Sequence, residues 1–290
     1  MHGIICARPK WRPLRGADTR RAREARLQAH YAAQWLARAA RAYLPPQPDD
    51  GHTSLLWDRA IDGFKTQPLR NGMRLSLQVS NLTLALRSGD GPGAVQSMFL
   101  SGRTDPEIRE WLGYRLGELN VDAEALDAPS PYEIPAHAVA KGAPYNAVAS
   151  TEALAELAAW FANAESLLGP IQKRLTGRKL AASPVCCWPH HFDLATLTTL
   201  PKHNADATGY VGIGLSPGDE YYNEPYFYVS VYPKPDPKTL PTLPMFGHWH
   251  THEFMAAIVL AHKIVAAKNQ KTETDKFLRC AVDIALKILS

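Results

Sequence analysis

Cysteine is scarce: a chain of 290 residues has four, at positions 6, 186, 187 and 280. That is too few for a disulfide framework, and the adjacent Cys186 and Cys187 would face opposite sides of a strand. The pattern suits a reducing compartment and predicts a cytoplasmic protein. Long apolar runs are missing as well. The longest, near 255–261, is flanked by His252, Glu253, His262 and Lys263 and falls short of the ~18 residues of a membrane span. No signal-peptide core follows the first residues. A strong charge of one sign is also lacking over most of the chain. The net +4 conceals a basic leader, with ten Lys/Arg against Asp18 and Glu24 in residues 1–43, and a body of 22 basic and 26 acidic residues. Such a body gives no reason to expect nucleic acid.

What is present is an ordinary globular composition, 46% hydrophobic and 21% charged, long enough for one large or two small domains. Residues 1–16 have two prolines and no period and are expected to form a loose tail. Residues 18–43 are Ala-rich, with Tyr31, Trp35, Leu36 and Ala39 at helical spacing, and predict a basic helix that docks through Trp35. The run Pro45–Gly51 reads as a linker, dividing a basic tail and helix (1–44) from a body (51–290) with possible halves 51–149 and 150–290. Alternation in Met73–Val79 and again in Leu82–Leu86 predicts a hairpin turning at Ser80-Asn81, with Val79 opposite Leu82. Thr104-Asp105-Pro106-Glu107 is a capping box that opens a helix. A second helix starts at Ser150. Strands are expected at Val185–Trp188, Phe192–Leu197, Tyr210–Leu215 and Tyr226–Tyr232, a helix capped by Thr251 and carrying Phe254, Ile258 and Ala261, and a closing helix from about Asp275. Together these give an α+β fold with mostly antiparallel sheet flanked by helices, and a helix–strands–helix order that hints at two similar halves.

The chemistry-bearing residues gather late. Six of the eleven histidines lie between 190 and 252. In an extended His248-Trp249-His250 both imidazoles would face one way about 7 Å apart, a spacing that lets two histidines hold one ion. After Pro189, His190 and His191 would begin a strand, with His191 and Asp193 on one face and only one of the two histidines in a site. The sharp expectation is that the two ends meet: a metal-dependent enzyme acting on a small molecule, with ligands from His190, His191, His248 and His250, and Zn or Fe(II) as the ion. Asp193, Asp219 and Glu253 are the candidate catalytic carboxylates. The alternative is a metal-free small-molecule binding protein with an aromatic wall from Trp188, Tyr226, Tyr228 and Trp249. The bland reading makes the histidines corner residues bonded to backbone carbonyls, Asp219 a turn residue and the cysteines buried and inert.

The stretch Ser183–Ala195 (SPVCCWPHHFDLA), with GIGLSPGD at 212–219, EPYFY at 224–228 and GHWHT at 247–251, resembles a group of bacterial proteins of unknown function from about Gln34 to His262. It is also distantly similar to a wider bacterial domain family of unknown function, where the residue matching Cys186 is often His and nothing corresponds to His190 and His191. The resemblance implies a cytoplasmic bacterial protein and brings no activity with it.

Overall fold

The structure is a computed structural model that describes residues 10–16, 18–87, 95–200 and 208–290; Cys6, His203 and the first part of the expected tail lie outside them. Among the described residues five α-helices and two antiparallel sheets form an α+β fold.

Helix α1 (Thr19–Tyr43) is capped by Asp18, whose carboxylate accepts from the Arg20 amide at 2.8 Å. Its alanines, among them Ala25, Ala29, Ala32, Ala33 and Ala40, are fully buried beside Trp35 and Leu36. Small side chains let neighbouring elements approach the helix closely, so α1 lies in the main hydrophobic cluster instead of standing off as an appendage. The first sheet follows in chain order: β1 (Leu56–Asp58), β2 (Gly63–Lys65), β3 (Arg74–Gln78), β4 (Thr83–Arg87) and β5 (Val95–Phe99). Leu77 pairs with Leu84 and Gln78 with Thr83, the register that sets Val79 against Leu82. Leu75, Leu77, Val79, Leu82, Leu84 and Leu86 are all buried. Helix α2 (Asp105–Glu118) starts at the expected capping box, and an irregular connection leads to α3 (Thr151–Gly177).

The second sheet has the order β11-β12-β10-β9-β8-β6, with β7 paired to β8. Its strands are β6 (Ala181–Ala182), β7 (Cys186–Trp188), β8 (Asp193–Leu200), β9 (Gly209–Ser216), β10 (Tyr226–Tyr232), β11 (His248–His250) and β12 (Ala256–Leu260). α3 contacts β8 and β9, and α5 (Gln270–Ile288) contacts β9 and β10. On β10, Phe227 meets Trp160 of α3 at a ring separation of 6.3 Å, so Phe227, Val229 and Val231 face the helices and the intervening tyrosines face away.

Three expectations are corrected. Residues 256–260 are a strand, not a helix: Ala256–Val259 are fully buried between β10 and β11. A strand covered on both faces is apolar without alternation, which periodicity does not separate from a buried helix. The short α4 (Ala261–Val265) follows it. Residues 10–16 are tied down. The Asn163 amide donates to the Arg12 carbonyl and accepts from its N–H (2.8 and 2.9 Å), and Gln270 does the same at Leu14 (2.8 and 2.9 Å). Finally, His190 and His191 lie in a four-residue turn, Pro189–Phe192, between β7 and β8. His191 and Phe192 amides both donate to the Trp188 carbonyl, and Phe192 has φ 59°. Strand alternation does not govern that turn.

Candidate functional site

On the face of the second sheet that the helices leave open lies a cavity of about 810 Å³, within the size range of small-molecule sites. α1, the 189–192 turn, the Ser216–Glu220 loop and the tyrosine side of β10 bound it. α1 contributes Arg26 and His30 to the wall, and Gln34 follows four residues on along the same helix face. His30 Nε2 and Gln34 Nε2 both donate to the Pro189 carbonyl, at 2.8 and 2.9 Å. The His30 ring stacks on Phe192 at 5.0 Å and 8°. Gln34 Oε1 accepts from Tyr132 Oη at 2.9 Å. This clamp aims both His190 and His191 at the cavity, with ring centres 4.2 Å apart. Burial lowers the pKa of His30 and of His190 to about 4; both are neutral imidazoles at neutral pH.

Asp193 opens β8. Tyr228 Oη donates to Asp193 Oδ2 at 2.5 Å. The tyrosine reaches it across β9 because Gly214 lies between: a Cβ there would sit 2.7 Å from the Tyr228 ring and 2.8 Å from the Ala195 Cβ. Asp193 Oδ1 is buried and has no partner among the described residues. Burial raises the Asp193 pKa, partly offset by the Tyr228 hydrogen bond, and raises that of Tyr228 far more than enough to keep it a donor. One residue pair further, Tyr226 donates to Asp219 Oδ2. Asp219 Oδ1 accepts from the Tyr221 and Tyr222 amides at 2.9 and 3.0 Å, so this carboxylate both closes its loop and lines the cavity. Gly218, at φ 105°, takes a backbone conformation that other residues rarely adopt, and the Arg26 guanidinium packs against it, 2.2 Å from where a Cβ would fall. Arg26 is 7% exposed.

Trp188, Trp249, Glu253, His248 and His250 do not line this cavity. The Trp249 indole donates to the Pro241 carbonyl at 2.8 Å, and Glu253 accepts from Tyr221 Oη. β9, β10 and β12 separate the strand of Asp193 from that of His248 and His250. At ~4.8 Å per strand the gap is roughly 19 Å, against ligand distances of about 2 Å. The two ends do not meet around one ion, and no group of three His, Cys, Asp or Glu among the described residues converges to hold one. His248 and His250 instead share Tyr222, whose hydroxyl lies 2.9 Å from His248 Nε2 and 2.9 Å from His250 Nδ1. His250 Nε2 donates to the His252 carbonyl at 2.7 Å. In the tautomer that donates from His250 Nε2, Nδ1 accepts from the Tyr222 hydroxyl, which in turn accepts from His248 Nε2–H.

Both strand cysteines are buried. Burial raises the Cys186 pKa to about 11 and that of Cys187 further above its usual value, so neither is a ready thiolate. A second cavity, about 450 Å³, has paired polar groups: Glu224 with His262 at 2.9 Å, and Glu156 with the Arg15 and Gly16 amides.

Sequence reasoning missed Arg26, His30, Gln34 and Tyr132. The spacing 26, 30, 34 was the available signal: a polar stripe at i, i+4, i+8 in an otherwise Ala-rich helix is either a solvated face or a buried site, and only the burial seen in the fold selects the second. Comparison with known proteins returns no match: no family model, no curated protein and no solved structure matches this chain.

Proposed function

We propose that this chain binds a small organic molecule in the cavity between α1, the 189–193 segment and the tyrosine face of β10. One observation carries the reading: Asp193 Oδ1 is buried in the cavity wall with no hydrogen-bond partner. Leaving such an atom unsatisfied costs about 1–3 kcal/mol, and a ligand whose binding opens the wall enough to bring a donor beside it would recover that cost. Tyr226 and Tyr228 supply flat apolar surface, and their hydroxyls hold the two carboxylates in place. The test is a thermal-shift screen of amino acids, carboxylic acids, amines, sugars and nucleobases against the wild type and a Ser230→Phe variant whose ring fills the cavity. Compounds at a hundred times their Kd should stabilise the wild type by about 2.7 kcal/mol and leave the variant unmoved. A screen in which no compound separates the two proteins would sink the proposal.

A second reading has an observation of its own. Two imidazole nitrogens and a phenol oxygen converge at His248, His250 and Tyr222, a donor set compatible with Zn or Fe(II). These residues would hold the ion in place of their mutual hydrogen bonds. Elemental analysis of the untagged protein beside a His248→Ala/His250→Ala variant decides it: near-stoichiometric metal lost in the variant supports this site, and metal-free wild type after reconstitution removes it.

A further inference from the structure

Two polar groups of opposite kind in the cavity wall make no hydrogen bond among the described residues, the Arg26 guanidinium and Asp193 Oδ1. Arg26 makes no hydrogen bond and no ion pair within 4 Å among the described residues, although it is 7% exposed and lines the cavity. A guanidinium carries five N–H donors in a fixed fork, and those of Arg26 are not among the sealed, unpartnered atoms of the fold, so they are open to the cavity. Asp193 Oδ1 is the complementary orphan, an acceptor without a donor. They do not satisfy each other. Arg26 lies in the field of Asp219 and Glu220, and Asp193 in that of His191 and Asp219. Asp219, already bonded to Tyr226 and two amides, is the neighbour they share. Among the described residues no other Arg or Lys lines the cavity, so Arg26 is its permanent cation and the anchor for an anion. Tyr226 and Tyr228 offer ring faces along the wall, joined by Tyr132 and Phe254.

Resting on the reading of this cavity as a ligand site, we infer that its ligand is a small aromatic zwitterion. A carboxylate-type oxygen pairs with the Arg26 guanidinium, an ammonium or other N–H group donates to Asp193 Oδ1, and a flat body lies on the tyrosines. Bidentate guanidinium–carboxylate pairing is among the stronger contacts available to such a ligand, and tyrosine faces favour a flat, partly cationic body. Neither charged end is sufficient alone, because each leaves either Arg26 or Asp193 Oδ1 without a partner.

Three probes on one skeleton test this: L-phenylalanine, phenethylamine, which lacks the carboxylate, and 3-phenylpropionate, which lacks the amine. Affinities are measured by calorimetry at pH 7.5 on the full chain. The zwitterion should bind at least about tenfold more tightly than either relative, the equivalent of about 1.4 kcal/mol. Arg26→Met should erase its advantage over the amine while keeping its advantage over the acid, and Asp193→Asn should do the reverse. Both variants remove an unpaired charge or keep the shape, and a circular-dichroism melt checks that each folds. Equal binding of the zwitterion and either relative, or no binding of all three, overturns the inference. A singly charged or neutral compound that passes the screen against Ser230→Phe would overturn it and leave the ligand site standing. Failure of that screen would remove the site itself.

Discussion

At the scale of single residues, burial decides which protonation states the fold carries. His30 titrates near 6.5 in an unfolded chain and at about 4 in the native one. The unfolded state therefore binds more protons between those values, and stability falls as pH drops from 6.5 towards 4. The loss is roughly 3 kcal/mol. Urea midpoints at pH 7 and pH 4.5 should differ more for the wild type than for His30→Gln, which keeps a donor towards Pro189 without the titration; equal differences would refute the assignment. Asp193 has the opposite sign. Its carboxyl is raised above the usual 3.8 by burial, so the native state holds its proton longer than the unfolded one. The associated stability is present below 3.8 and is lost as pH rises through the native value. Asp193→Asn should therefore gain on the wild type between pH 4 and pH 8 in the same denaturation series, and a variant that loses ground over that range would contradict a raised native pKa.

At the scale of elements, the site depends on one strand giving way to its neighbours. β9 has glycine at 212 and 214, where Ser230 and Tyr228 of β10 cross it. Gly214→Ala puts a methyl against the Tyr228 ring and the Ala195 Cβ, contacts that do not relax without moving the strands. It should cost about 1–3 kcal/mol and displace Tyr228 from Asp193, read as a lower melting temperature with altered near-UV dichroism. Gly169, inside α3, has open space where its Cβ would be. Gly169→Ala should stabilise by about 0.5–1 kcal/mol, so a destabilised Gly169→Ala protein would be the informative failure.

For the whole molecule, α1 ties the first sheet to the helix that spans both sheets, since α3 contacts β1 and also β6, β8 and β9. It packs on α3 and β3, its buried face belongs to the main cluster, and Trp35 Nε1 donates to Asp105 at the start of α2 at 3.2 Å. Trp35→Ala should cost about 3–5 kcal/mol. A chain starting at Gly51 should lose its cooperative unfolding transition altogether; retention of a sharp melt in that fragment would mean the helix is dispensable. No helix among the described residues is long and apolar enough to cross a membrane.

Local pattern alone determined much of this protein. The pairing of Val79 with Leu82, the box at Thr104 and Glu107, and the split of β10 into a tyrosine side and an apolar side all follow from contacts within a few residues of sequence, where chain geometry leaves few choices. The candidate site was legible only in pieces. Tyr226, Tyr228, Asp193 and Asp219 stood out by type and spacing, but nothing local says which strands lie between them and the His248–His250 pair. Strand order is a property of non-local pairing, and inserting β9, β10 and β12 between β8 and β11 divides one expected site into two clusters. Tertiary structure also decided that residues 256–260 extend, because burial on both faces favours a central strand over any local helical period. It brought the polar stripe of α1, more than 150 residues away in the chain, onto the Pro189 carbonyl, where desolvation turns ordinary side chains into a site.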